Sequence, residues 1–380
     1  MAKLKDLKEK LAIAMWDFSW LWQHQKYAAF EDWDQALDGL VARGYNAVRI
    51  DAFPHLVAAD PEGHLPEEVT NTKNDFLPPI WGLAYTMTYN PRAALAEFMG
   101  KCRDRGIYVG LSTWFFGDDA KRNERIQGVD EFVRVWDETL TWLHSNDLLS
   151  SVVYVDLLNE YPNFHNLTWL KTMLSTMSEP PDKSKNFNAG QIAFYNQFIT
   201  DTLSKLKRKW LDLDFFASIT ETGQRQPWTD IDFSAFDAID KHHWVVLTDD
   251  FGTMSGYFPH MHNPRDTSQF RELGARIHQY WRNNRDLAVA GLEREIAKVA
   301  EIGRKWDIPI GNTEGWGAIH WRNHPFLPWD FIKEAGEEAV RLSTRHGYTF
   351  ICTSNFTHPH FAIWNDIPWH QQLTGIIRGS

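Results

Sequence analysis

Two glutamates in the sequence each stand just past a short apolar run that is typical of a buried β-strand. Asn159-Glu160 follows the run 152–158, and Glu314 follows the run 308–313. Two carboxyl groups that face one cleft can cleave a glycosidic bond. One donates a proton to the leaving oxygen, and the other acts as nucleophile or as base for water. Either glutamate alone is more often an ordinary loop residue, so the pair carries the prediction.

The elements that would position these glutamates alternate along the chain. Eight apolar runs are predicted strands, and each is continuous, as expected for parallel strands covered on both faces. They lie at 11–18, 45–50, 107–113, 152–158, 214–220, 238–246, 308–313 and 348–354. Predicted helices lie between them at 33–43, 92–105, 130–146, 190–211, 286–305 and 330–346.

This alternation predicts an α/β fold, a single parallel eight-stranded α/β (TIM) barrel. A doubly wound open sheet is less favoured, because no Gly-x-Gly-x-x-Gly turn follows any strand. We expect one domain over 1–380, since no repeat or flexible linker divides the sequence. Long strand-to-helix loops are predicted at 51–91, 159–189, 247–269 and 315–329. They would gather on the face where the carboxyl ends of barrel strands build active sites.

Three segments resemble a known group of enzymes. The segments VYVDLLNEYP (153–162) and IPIGNTEGWG (308–317) are similar to the paired catalytic motifs of clan A retaining glycoside hydrolases, including the cellulase-type family 5. The segment GYNAVRIDAF (44–53) resembles the strand 2 motif of the same group, and the chain from 11 to 365 is similar to bacterial cellulase-like proteins.

This resemblance implies a function and a role for each matching residue. It makes Glu160 the acid/base, Glu314 the nucleophile, Asn159 the contact to the sugar 2-hydroxyl, and Arg49 the partner that keeps Glu314 ionised. The expected substrate is an oligosaccharide or glycoside with a β-type bond, cleaved with retention. Long loops that close one end of the cleft would favour exo action.

The sequence departs from the family pattern at two places. His242-His243-Trp244 stands where a His and a Tyr two residues apart are usual, so Trp244 replaces the tyrosine that bonds the nucleophile. Asn355 stands after strand 8, where a tryptophan is usual. Further candidates for substrate binding lie at other strand ends, where each is as readily part of the rim or core. They are Trp16, Asp17, Trp114, Glu221 and Trp316.

Composition limits the partners that we expect. The formal charge of −11 argues against a nucleic-acid backbone or an anionic membrane. The basic amino terminus lacks the apolar stretch and cleavage site of a signal peptide, so we expect a cytoplasmic protein. The two cysteines suit free thiols in a reducing compartment. We expect no cofactor and no metal, and the sequence leaves the oligomeric state open.

Two other functions are compatible with these residues. A metal-dependent sugar isomerase also uses carboxylates and histidines at barrel strand ends, and Glu160, Glu221, His242 and Glu314 could serve it. Arg49 argues against this, because a guanidinium would repel a divalent cation. A sugar-binding protein without turnover is the second alternative, although a pure binder has no need of both glutamates.

Overall fold

The computed structural model describes residues 3–72, 81–83, 85–162, 165–177, 187–220, 230–261 and 266–379. Its strands are short and, in the main sheet, parallel. They are β1 (Leu11–Asp17), β2 (Ala47–Asp51), β3 (Val69–Asn71), β4 (Met87–Tyr89), β5 (Tyr108–Ser112), β6 (Val152–Asp156), β7 (Phe215–Phe216), β8 (Ile219–Thr220), β9 (Ile239–Trp244), β10 (Ile310–Asn312), β11 (Gly315–Trp316) and β12 (Phe350–Cys352).

The strand pairings run around a ring. β1 lies between β12 and β2, and the order continues through β5, β6 and β7 on one side and through β10 and β9 on the other. β7 and β8 belong to one extended segment, which pairs with β6 through β7 and with β9 through β8. Counting β7 with β8 and β10 with β11, the ring has eight strand positions. The predicted eight-stranded parallel α/β barrel is confirmed.

Helices cover the outside of the ring, as the apolar strands require. They are α1 (Ser19–Trp22), α2 (Trp33–Ala42), α3 (Pro54–Val57), α4 (Pro91–Asp104), α5 (Val129–Ser145), α6 (Thr168–Thr176), α7 (Ala189–Lys207), α8 (Phe251–Met254), α9 (Tyr257–Met261), α10 (Phe270–Trp306), α11 (Asp330–Arg345) and α12 (Ile367–Gly379). None of the helices in these described ranges is both long enough and apolar enough to cross a membrane.

Two of the helices with ten or more residues differ from the prediction. α10 begins at Phe270 rather than near 286, and non-helical dihedral angles at Asn284 divide it. The predicted helix corresponds to the part after this kink. α12 follows the last strand and was not predicted. The predicted loops also hold structure of their own, since β3 and β4 form an antiparallel pair within 51–91.

Aromatic rings fill the inside of the barrel. Tyr154 on β6, Phe216 on β7 and Phe350 on β12 lie with ring centroids 5.0–6.0 Å apart. Gly110 on β5 and Gly311 on β10 leave room for Tyr154 and Phe350, because a Cβ atom at either glycine would collide with the facing ring. This packed layer prevents the barrel from being a channel, so ligands have access only at its ends.

Candidate active site

Glu160 and Glu314 lie beyond the carboxyl ends of their strands and are almost completely buried. Each of the two residues is 6% exposed. Glu160 has a left-handed backbone conformation (φ 50°), and its amide donates to Ser218 Oγ at 3.0 Å. Glu314 lies in the short connection between β10 and β11. Both residues are therefore held by the strand framework rather than by long loops.

The two glutamates face each other across His242. One carboxylate oxygen of each glutamate and one ring nitrogen of His242 all lie within 4.8 Å of one another. Nδ1 of His242 is 3.0 Å from Glu160 Oε1 and 3.6 Å from Glu314 Oε2. Three side chains from three parts of the barrel thus converge on one point.

Arg49, on β2, carries a buried positive charge that several groups share. Its Nη1 is 2.5 Å from Asp17 Oδ1 and 3.3 Å from Glu314 Oε2. We name Arg49 and all of its partners except Glu314 the Arg49 cluster. Nη2 donates to Ser112 Oγ at 3.0 Å, to Asp156 Oδ2 at 3.4 Å and to Asn159 Oδ1. The cluster consists of Arg49, Asp17, Ser112, Asp156 and Asn159.

His242 has a second carboxylate behind it. Nε2 of His242 is 3.7 Å from Asp240 Oδ2 and 3.4 Å from Thr313 Oγ1. Asp240 also accepts from the Thr313 amide at 2.9 Å and from its hydroxyl at 2.5 Å. We name His242, Asp240 and Thr313 the His242 cluster. Because Thr313 directly precedes Glu314, this cluster fixes the strand end that carries Glu314.

The electrostatics differ from the expectation that Arg49 keeps Glu314 ionised. Burial and the nearby Glu160 carboxylate raise the pKa of Glu314 to about 8, although His242 and Arg49 act in the opposite direction. The guanidinium lowers this pKa only weakly, because Asp17 holds it more closely than Glu314 does. Two buried carboxylates this close cannot both ionise readily. Glu314 therefore favours its protonated form at neutral pH.

The charge of His242 is set by its neighbours. Burial alone would lower the pKa of His242, but Asp240, Glu160 and Glu314 outweigh it and raise that pKa to about 10. The ring is consequently an imidazolium at neutral pH, with a proton on each nitrogen. It donates from Nδ1 to Glu160 and presents Nε2 to Asp240.

These protonation states bear on metal binding. Glu160, Glu314 and His242 have the spacing of a three-ligand set. An imidazolium must lose a proton before it can bind a metal ion, however, and Arg49 adds a permanent positive charge 3.3 Å from Glu314, which would repel a divalent cation. The residues present do not fit a divalent cation, and we assign them no metal.

Of the remaining predicted site residues, those that the structure describes divide into two groups. Asp17 and Trp114 adjoin the site, since the indole Nε1 of Trp114 donates to Asp17 Oδ2 at 3.0 Å and Trp114 is half-buried. The Nδ2 group of Asn159 is buried and has no partner among the described residues.

The second group is not open to a ligand in this structure. Trp16 and Trp316 are fully buried, and their indole nitrogens donate to the carbonyls of Thr357 and Cys352. Trp244 is 3% exposed, and Asn355 is fully buried with both amide atoms unpartnered in the described part of the chain. Glu221 lies outside the described residues.

Sequence reasoning missed the carboxylates behind the first layer. Asp240 and His242 lie two residues apart on β9, so the alternation of strand side chains puts them on one face. That spacing could have identified Asp240 once His242 was a candidate. Asp156 ends β6 just before Asn159, and its partner Ser112 ends β5. In the sequence, nothing except their positions at strand ends indicated Asp156 or Ser112.

Comparisons with known proteins agree with this fold. The sequence model of the family described as "sugar-binding cellulase-like" matches residues 13–378. A structure from Parabacteroides distasonis, of a candidate glycoside hydrolase, is 28% identical, with a TM-score of 0.84 over 98% of this chain and 94% of that one. None of the curated proteins compared with the sequence matches it.

More distant structures share the fold alone. Cellulose synthase subunit Z from Clostridioides difficile is 11% identical, with a TM-score of 0.55 over 97% of this chain and 99% of that one. A hyperthermostable endocellulase is 12% identical, with a TM-score of 0.51 over 96% of this chain and 92% of that one. The family match spans nearly the whole sequence, so the chain belongs to the sugar-binding cellulase-like family.

Proposed function

We propose that the protein is a retaining glycoside hydrolase that acts on a β-linked oligosaccharide or glycoside. One observation carries the proposal: an oxygen of Glu160 and an oxygen of Glu314 lie within 4.8 Å of each other at the carboxyl ends of the barrel strands. Retaining enzymes place their carboxyl groups about 5–5.5 Å apart, whereas inverting enzymes need about 6.5–9.5 Å to admit a water. The observed spacing supports retention.

In this mechanism Glu314 attacks the anomeric carbon while Glu160 donates its proton to the leaving oxygen. The bond from the anomeric carbon to the leaving group breaks, and a glycosyl ester of Glu314 forms. Glu160 then removes a proton from water, which attacks the anomeric carbon and releases Glu314 as a carboxylate. The first step requires the ionised form of Glu314, so we expect turnover to rise with pH toward the pKa of Glu314, which is about 8.

The neighbouring residues support these roles. The imidazolium of His242, 3.0 Å from Glu160, stabilises the negative charge that Glu160 acquires when it gives up its proton. Asn159 has its oxygen engaged by Arg49, which leaves its Nδ2 free to donate to a sugar 2-hydroxyl. Half-buried Trp114 offers an aromatic face to the apolar face of a sugar ring.

A screen of aryl glycosides and short oligosaccharides tests the activity. Wild type should turn over at least one β-glycoside with retention, and Glu314→Gln should abolish this turnover. Glu160→Gln should lose about 10²–10⁴-fold, and less with good leaving groups, which need little protonation. Azide should restore Glu314→Ala as an inverted product and Glu160→Ala as a retained one. Full activity in either glutamine variant would refute the assignment.

Exo action and a cytoplasmic location remain part of the proposal. The long segments 51–91 and 247–269, which carry β3, β4, α8 and α9, would close one end of the cleft. Product analysis on a labelled oligosaccharide separates the modes, because exo action releases one terminal unit from the start. Fractionation of cells followed by detection of the protein tests the location.

Sugar binding without turnover is the second candidate, because the family description itself names sugar binding. Calorimetry with oligosaccharides separates it from hydrolysis. A binder would retain affinity and release no product in either wild type or Glu160→Gln. A parallel assay with a chelator addresses the isomerase alternative, for which activity should fall in chelator and return with added metal.

A further inference from the structure

Asp17 and Glu314 share one nitrogen of the same guanidinium. Nη1 of Arg49 is 2.5 Å from Asp17 and 3.3 Å from Glu314, so the shorter and stronger contact belongs to Asp17. All three side chains are buried, with Arg49 having no exposed surface. In such an environment charge interactions are weakly screened. The difference between 2.5 and 3.3 Å therefore makes the attraction of Arg49 to Asp17 stronger than its attraction to Glu314.

The backbone of β1 places Asp17 in this position. Met15 pairs with Arg49 and Asp17 pairs with Ile50, so the register between β1 and β2 shifts by one residue just before Asp17. Asp17 itself has a left-handed conformation, with φ of 41°. Irregularities of this kind re-aim a side chain and recur next to active sites.

The other oxygen of Asp17 is held as well. Oδ2 accepts from the indole nitrogen of Trp114 at 3.0 Å, while Oδ1 meets Arg49. Each carboxylate oxygen of Asp17 thus has a protein partner, which suits a positioning residue better than a direct contact to substrate. Its carboxylate cannot swing toward Glu314 or away from Arg49 without breaking one of these bonds.

We propose that Asp17 holds Nη1 of Arg49 away from Glu314 and thereby sets the pH at which Glu314 ionises. The inference rests on the proposed function only for its kinetic consequence. Asp17 acts through Arg49 and by its own negative charge, and both effects favour the protonated form of Glu314. Among the described residues, the titratable and charged groups that interact with Glu314 include Asp17, Arg49, Glu160, His242 and Cys352.

The test is a direct titration of Glu314 in the full chain. Carbon-13 NMR of protein labelled at the glutamate carboxyl carbon follows the Glu314 signal, which is identified by its loss in Glu314→Gln. In Asp17→Asn the Nη1 group has Glu314 as its only carboxylate partner, and the pKa of Glu314 should fall by about one unit or more. An unchanged or higher pKa would overturn the inference.

Asp156→Asn is the matched control. It removes the same charge from the same guanidinium, but Asp156 contacts Nη2, whereas Glu314 contacts Nη1. Its effect on the pKa of Glu314 should be less than half that of Asp17→Asn. Equal shifts in the two variants would show a general charge effect and would overturn the specific role of Asp17.

The kinetic readout separates this inference from the proposed function. If the protein is a hydrolase, the acid limb of kcat/KM in Asp17→Asn should move to lower pH by the same amount as the NMR titration. A shift in the titration without any turnover would support the role of Asp17 and refute the hydrolase. Turnover in wild type and in Asp17→Asn without a shift in the pKa of Glu314 would support the hydrolase and refute the role of Asp17.

A further measurement does not depend on an Asp17 variant that folds. If Asp17 is the main partner of Nη1, Glu314→Gln removes only a minor partner of Nη1 and a carboxyl group whose ionised form burial disfavours. Its melting temperature should equal or exceed that of wild type. A loss of more than about 3 °C would make Glu314 the main partner of Arg49 and contradict the inference.

Discussion

The Arg49 cluster and the His242 cluster both place a buried cation beside buried carboxylates, but they use different cations. Each holds a buried cation between a glutamate of the proposed catalytic pair and at least one further buried carboxylate. Arg49 lies between Glu314 and the pair Asp17 and Asp156, and His242 lies between Glu160 and Asp240. The two cations differ in kind, because a guanidinium stays charged at all relevant pH values and an imidazole does not.

This difference assigns a separate task to each cluster. Arg49 cannot lose its positive charge, so its influence on Glu314 depends on the distance between the guanidinium and the Glu314 carboxyl group. The His242 cluster keeps its charge only because acidic neighbours raise the pKa of His242 to about 10. We therefore expect loss of the Arg49 guanidinium to act on folding first, and discharge of the His242 imidazolium to make stability depend on pH.

The largest effect is expected from Arg49→Met. Removing the guanidinium leaves Asp17 and Asp156 buried without their cation, and an uncompensated buried charge costs about 3–5 kcal/mol. Urea unfolding at neutral pH measures the loss. Arg49→Lys should lose less, because it keeps the charge while losing the forked donor geometry. A loss below about 1 kcal/mol in Arg49→Met would mean that the carboxylates are satisfied without Arg49.

The next effect concerns His242 and pH. Its pKa is raised from an ordinary 6.5 to about 10 in the folded protein, so its stabilising contribution is fully present below pH 6.5. The contribution is lost as the pH rises from 6.5 through 10. Because a tenfold change in proton affinity corresponds to about 1.4 kcal/mol, we expect the free energy of unfolding to fall by a few kcal/mol over this range.

Urea unfolding of wild type and His242→Gln across this range measures that contribution as a difference. Wild type should lose more stability than the variant between pH 6.5 and 10, because the variant has no imidazolium to discharge. Parallel curves for the two proteins would show that His242 does not titrate in this window.

A smaller and more local effect is expected from Asp240→Asn. Asp240 is the largest of the charge interactions that raise the pKa of His242, and the amide keeps much of its shape. Proton and nitrogen NMR of the His242 ring should show its pKa falling by about 1–2 units. Asp156→Asn removes a carboxylate from the other cluster and should leave this pKa nearly unchanged. A similar fall in both variants would mean that the two clusters are not separate.

The two clusters also show what could be predicted from the sequence. Glu160 and Glu314 were predictable because the carboxyl ends of parallel strands meet on one face, and each residue directly follows an apolar run. The choice of partner for Arg49 was not predictable. It depends on the register shift before Asp17, which appears only when β1 and β2 are paired.

The fold shows the same contrast between local and tertiary information. All eight strand positions followed from apolar runs. The early start of α10 was visible in principle, because Phe270, Leu273, Gly274, Ile277 and Trp281 form a helical stripe of buried residues. The polar run at 282–285, where the helix kinks, obscured the continuity of this stripe with the predicted helix. α12 has a proline in its first turn, and proline at this place is a start signal for a helix.

The smallest effect is expected from Trp114→Phe, which tests whether the Arg49 cluster communicates with the open surface. Trp114 is half-buried and its indole donates to Asp17, whereas the three members of the His242 cluster are fully buried. Phenylalanine keeps an aromatic face but loses a hydrogen bond to a charged acceptor, which is worth about 1.5–3 kcal/mol. Trp316→Phe is the matched control, because its indole donates to the Cys352 carbonyl away from Asp17. Both variants should lose stability in urea unfolding, but only Trp114→Phe should raise KM for a glycoside and move the acid limb of kcat/KM. If both variants leave KM and the acid limb unchanged, Asp17 holds Arg49 without help from Trp114, and the Arg49 cluster is as closed to the surface as the His242 cluster.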